Sequence, residues 1–127
     1  MTLKELATQN NIKYIVLFGS QADGTQHKNS DVDIAVFRDE FKTLKEYSTV
    51  LFGLADILGY CSDKIDLTNL KYAKPLLRYE ITSKGKLLYG NELDYAEFCA
   101  FAFKDYIDSK DLFKHEAEVL RRKVKKL

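Results

Sequence analysis

Tryptophan is absent from this 127-residue chain, and proline (Pro75 alone), glycine (six) and cysteine (two) are scarce. So little proline and glycine excludes collagen-like, proline-rich and linker-type chains. Cys61 and Cys99 make no zinc-type spacing and no disulfide framework, so each reads as a reduced thiol. An excess of one charge is missing too. The 20 Lys+Arg and 19 Asp+Glu leave a net +1, which argues against a protein that coats nucleic acid. No apolar run approaches the roughly 18 residues of a membrane span. The start, Met1-Thr2-Leu3-Lys4-Glu5-Leu6, lacks the pattern of a signal peptide. What is present is 46% hydrophobic residues in 14.7 kDa, enough to build the core of one domain. These exclusions leave a cytoplasmic α/β or α+β domain.

Periodicity then divides the chain. Thr2 with Glu5 forms a capping box for a short helix running to about Asn10. Ile12 to Phe18 is β-branched and aromatic and stops at Gly19, the pattern of a buried strand. Gln21 to Ser30 is polar and reads as a loop. Val32, Ile34 and Val36 alternate with Asp31, Asp33 and Ala35, which predicts a second strand. Leu44, Tyr47, Leu51, Leu54 and Leu58 recur at helical spacing before Gly59, a C-cap residue. Lys64 to Leu67 reads as a third strand, Pro75 to Ser83 as a helix, and Lys86 to Tyr89 as an edge strand. From Glu92 onward no glycine or proline interrupts an approximate apolar stripe, so one long helix or a helix pair is expected. The expected organisation is a mixed core over 1–90 with a helical extension over 91–127, in a single domain.

The chemistry is concentrated between Val16 and Asp66. A strand that ends in Gly19-Ser20 presents backbone N–H groups where no Cβ hinders close approach, a geometry that can cradle phosphate. Asp31 and Asp33 stand two positions apart on the next strand, so both carboxylates face the same side. Asp66 alternates with Ile65 and Leu67 and so also points away from the core. Such acids repel one another until a cation joins them, and Mg²⁺ prefers a few carboxylates completed by phosphate oxygens. Three acids around one or two Mg²⁺ beside a phosphate-binding turn is a layout for nucleotidyl transfer. A P-loop reading fails, because Gly19-x4-Gly24 is followed by Thr25 with no lysine. His27, His115 and the basic run from Arg121 to Lys126 read as solvated side chains, with the alternatives of a nucleotide contact for His27 and of docking on an acidic partner surface or RNA for the run.

Gly19-Ser20, ten residues, then Asp31-x-Asp33 resembles the signature of the DNA polymerase β-type nucleotidyltransferases. The small size, with Ser30 to Val36, Lys64 to Leu67 and Leu77 to Tyr89, is similar to the minimal nucleotidyltransferase (MNT) branch. The tail around Phe98 and Tyr106-Ile107-Asp108 is similar to the C-terminal helix of MNT antitoxins, which are encoded beside HEPN-domain ribonuclease toxins. The resemblance implies a small mixed β-sheet flanked by helices. It implies transfer of AMP from ATP, with Mg²⁺, to a tyrosine of a HEPN toxin. By position, Gly19 and Ser20 would hold the triphosphate, and Asp31, Asp33 and Asp66 would bind metal, with Asp66 also a candidate base. Gln21 and Asp23 stand where many members carry basic residues, so Lys28 and Arg78 are candidates for the missing positive charge. Two alternatives stay open: an antitoxin that masks its partner by binding alone, and an enzyme that modifies a small molecule such as an aminoglycoside.

Overall fold

The computed structural model describes residues 1–19 and 31–125, with the backbone alone for 111–114, 124 and 125. The loop read from Gln21 to Ser30 lies outside the described residues, as does Ser20.

The first helix, α1 (Leu3–Gln9), is capped as its sequence predicts: the Glu5 N–H donates to the Thr2 hydroxyl at 3.2 Å. Asn11 then takes a left-handed φ of 56°, and the Ile12 N–H donates back to Ala7 O at 2.9 Å. That reversal keeps Ile12 under α1. The first strand, β1 (Tyr14–Phe18), therefore begins two residues later than the apolar run suggests. Strand β2 (Val32–Phe37) leads to helix α2 (Leu44–Leu58), capped by the Thr43 hydroxyl at one end and by Gly59, φ 78°, at the other. Strand β3 (Ile65–Asn69) runs two residues past its expected end. The Asn69 side-chain amide donates to Arg38 O at 3.1 Å and accepts the Arg38 N–H at 3.5 Å, prolonging the pairing beyond β2.

Helix α3 (Pro75–Lys84) and strand β4 (Lys86–Tyr89) follow, joined by Gly85. Gly85 is needed for space, because a Cβ there would lie 2.5 Å from Val16 Cγ1. The chain closes with one uninterrupted helix, α4 (Glu92–Lys125).

The sheet order is β3-β2-β1-β4. β1 pairs antiparallel with β2 and β4, and β2 pairs parallel with β3 through the α2 crossover. Alternation along the strands builds two cores. Ile15, Val32, Ile34 and Val36 face α1 and α2. Tyr14, Val16 and Ala35 face Ile81 of α3 and Tyr95 of α4. An aromatic cluster of Tyr14, Phe37, Tyr95 and Phe98 fills the second core, with Tyr14 edge-on to Tyr95 at 5.1 Å. The first half of α4 thus belongs to the core, through Tyr95 and Ala102.

Among the described residues the Tyr95 hydroxyl is buried with no well-formed hydrogen bond, and the Cys99 thiol, a weak partner, lies beside it. Burial, then that thiol, pushes the phenol pKa up. Tyr95→Phe removes the orphaned group, so it is expected to hold or raise stability by up to ~1 kcal/mol. Leu54→Ala, which empties a fully buried site, should cost ~2–5 kcal/mol. Urea denaturation of the two variants checks both signs.

Candidate active site

β2 carries the site because its two faces do different work. Val32 and Ile34 are buried among α1 and α2. The alternating positions, Asp33 and Ala35, turn to the α3/α4 face. Ala35 is covered there, but Asp33 sits at the open end and is only partly buried. Asp31, two residues earlier, is exposed.

The parallel pairing of β2 with β3 brings in the third acid. Asp33 is in register with Asp66, as Val32 is with Ile65. In-register residues on strands ~4.8 Å apart project from the same face. Asp66 is exposed while Ile65 is buried, as the alternation in the sequence requires. On the other side Asp33 is in register with Phe18, the last residue of β1. The structure therefore brings Asp33 and Asp66 to one end of one face, with Asp31 near enough for its charge to act on Asp33. Phe18 packs beside Asp33 there. Sequence reasoning gave it no role, though its parity with Val16 marks the same face.

Gly19 follows Phe18 with a φ of 75°. A Cβ at this position would overlap the Asp33 carboxylate oxygen and lie 3.1 Å from its Cγ. Glycine is thus required both by the backbone conformation and by the volume of the acid behind it.

The electrostatics follow from the geometry. The Asp33 carboxyl is held above the usual carboxylate range, first by burial, then by the negative charges of Asp66 and Asp31. Among the described residues, no group of three His, Cys, Asp or Glu is close enough to cage a metal ion. Asp31, Asp33 and Asp66 do not form a closed cage by themselves, but as hard oxygen donors they are of the type that Mg²⁺ takes when phosphate oxygens and water complete its shell.

Arg78 is not brought to this site. Its guanidinium donates to Leu70 O at 3.3 Å and Lys71 O at 2.9 Å, and lies 3.6 Å from Asp105. Those carbonyls are at the far end of β3 from Asp66. The side chain fastens α3 to β3 and α4, which corrects the expectation of a nucleotide contact. Lys28 lies outside the described residues.

A glycine turn set against three carboxylates at the open end of a mixed sheet defines a class, the nucleotidyltransferases. A family described as "Polymerase beta, Nucleotidyltransferase" matches residues 2–94, and the chain belongs to that family. It is 36% identical over 104 residues to the protein adenylyltransferase MntA of Aphanizomenon flos-aquae, spanning 74% of this chain and 69% of that one. It is 38% identical over 84 residues to the protein adenylyltransferase MntA of Shewanella oneidensis, spanning 65% of this chain and 58% of that one. A crystal structure of a toxin–antitoxin with AMP-PNP contains a similar chain. Its TM-score is 0.67 at 28% identity, over 96% of this chain and 94% of that chain.

Two outcomes follow. Because the folded chain holds the Asp33 proton more tightly than the unfolded chain, ionising Asp33 destabilises the fold. That penalty is absent below the unfolded value of about 3.9 and complete above the raised folded value. In EDTA, Asp33→Asn should therefore be more stable than the parent at pH 7, and the difference should vanish below about pH 4. Added Mg²⁺ should raise the urea midpoint of the parent but not of the variant. Arg78→Met should cost ~1–3 kcal/mol of stability by orphaning two carbonyls, and leave nucleotide affinity unchanged in a fluorescent-nucleotide titration.

Proposed function

We propose that this protein is an antitoxin that transfers AMP from ATP to a tyrosine hydroxyl of a cognate HEPN-domain ribonuclease toxin. The carrying observation is the register of Asp33 with Asp66 on parallel strands, with Asp31 two residues before and Gly19 packed on Asp33. Support comes from the adenylyltransferase name of both MntA relatives, and from the nucleotide analogue in the toxin–antitoxin structure. The resemblance to MNT antitoxins supplies the HEPN partner. A cytoplasmic location goes with this reading, since both ATP and a ribonuclease's RNA are found there.

In this reading the acceptor oxygen attacks the α-phosphorus of ATP. The new O–P bond forms as the bond to the bridging α,β-oxygen breaks, and pyrophosphate leaves. Asp66, exposed at the edge of the trio, takes the phenolic proton. A phenol with a pKa near ~10 keeps its proton at neutral pH, so a base is required. Asp31, Asp33 and Asp66 would hold Mg²⁺, which supplies charge neutralisation at the triphosphate and acidifies the acceptor hydroxyl. Gly19, with Ser20 after it, would let the triphosphate approach the backbone. Phe18, in register with Asp33, and Val32, buried on the opposite face, hold the strand end that carries Asp33.

The double substitution Asp31→Asn with Asp33→Asn should abolish transfer of label from α-labelled ATP to the toxin, while circular dichroism stays that of the parent. Growth protection should be lost with it. If the double variant still labels the toxin, the assignment of these acids is wrong. Full protection without labelling would mean an antitoxin that works by binding alone. Labelling of an aminoglycoside and not of the toxin would mean a small-molecule enzyme.

A further inference from the structure

The outer half of α4 carries an apolar seam that, among the described residues, is partly covered only at its start, where Phe103 and Tyr106 pack on Tyr79. Tyr95, Phe98 and Ala102 of α4 are spent on the core. Beyond Tyr106, which stacks on Tyr79 at 4.7 Å, no described α4 residue belongs to either core cluster. Phe103 is 52% exposed and Leu120 63% exposed. Phe103 and Tyr106 are three apart, and so are Ala117 and Leu120, fourteen positions further on. That is a heptad seam running over three successive repeats, with the first position of the middle one taken by Lys110. A single polar residue at such a position sets register and strand number in paired helices. The remaining nineteen or so residues of helix after Tyr106 project roughly 28 Å at 1.5 Å per residue.

Charge decides what covers the seam. Residues 92–109 hold five acids and one base, a net −4, and residues 110–127 hold seven bases and three acids, a net +4. Two such helices side by side in parallel would set like charge against like. Antiparallel, each basic half meets an acidic half. Packed helices are ~8–10 Å apart, about one Debye length at physiological salt, so the complementarity is felt.

We propose that α4 pairs antiparallel with α4 of a second copy of this chain, making a homodimer. Phe103 then lies opposite Leu120 of the second copy, and Tyr106 opposite its Ala117. Each basic end reaches the aromatic patch that Tyr79 and Phe103 form on the other body, where their rings lie 5.8 Å apart. The pairing does not rest on the transfer reading, since the mass of the free protein and the labelling of a toxin are separate measurements.

Sedimentation equilibrium of the full chain alone, at tens of micromolar and low salt, should give twice 14.7 kDa. Leu120→Glu removes one buried side chain from each of two symmetric contacts, so the dimer Kd should rise roughly 100-fold or more. Its core should melt as before, because Leu120 touches neither core cluster. The combined Arg121→Glu, Arg122→Glu and Lys123→Glu variant should also weaken the dimer, and molar salt should weaken the parent. A monomer at every concentration overturns the proposal, including the case where Leu120→Glu loses only toxin binding. A charge-reversed variant that dimerises more tightly overturns the antiparallel polarity.

Discussion

Everything at the site depends on one close approach, the contact between the backbone of Gly19 and the carboxylate of Asp33. It joins the end of β1, where a phosphate-binding turn begins, to the acid that β2 holds out of the core. Were any side chain present at residue 19, the carboxylate would have to move, and with it the position of negative charge relative to Asp31 and Asp66. The acid held there is costly to the fold: burial raises the proton affinity of Asp33, and the charges of Asp66 and Asp31 raise it further. A site that destabilises its own empty state is common where binding or catalysis is the purpose of the arrangement.

The rest of the molecule can be understood as what holds that contact in place. The α2 crossover sets β3 parallel to β2, which is the connection that brings residue 66 level with residue 33. Caps at Thr43 and Gly59 fix the length of α2 and therefore the register. At the opposite end of the strands, Asn69 and Arg78 lock β3 against β2 and α3 with side-chain bonds to main-chain groups. Gly85 allows α3 to descend onto Val16, so the strand leading to Gly19 is pressed from the α3 side. Two cores, one on each face, leave the sheet little freedom to twist away from this geometry.

Much of this was legible from the residues. The alternation from Val32 to Val36 and around Asp66 told which side the acids face, because period two leaves no other choice. Thr2, Thr43, Gly59 and Pro75 marked helix ends by hydrogen-bonding and conformational rules that act locally. Tertiary effects were not legible. The start of β1 was misplaced because Asn11 reverses the chain and ties Ile12 to Ala7, a bond outside any strand pattern. Arg78 looked like a spare cation, and its carbonyl partners appear only once β3 and α3 are packed. Which of the α4 aromatics enter the core was not legible, since a stripe of aromatics reads the same whether it covers a sheet or a partner.

Helix α4 runs from Glu92 to Lys125 without a glycine or a proline, and such helices do not kink sharply. It is a single stiff rod, held along its first half where Tyr95 and Phe98 pack on Tyr14 and where Tyr106 stacks on Tyr79. A sideways load at its tip is therefore delivered as torque to the Tyr14–Phe37–Phe98 rings, at the root of the strand that ends in Gly19. Anything that grips the tip has mechanical access to the interior of the molecule.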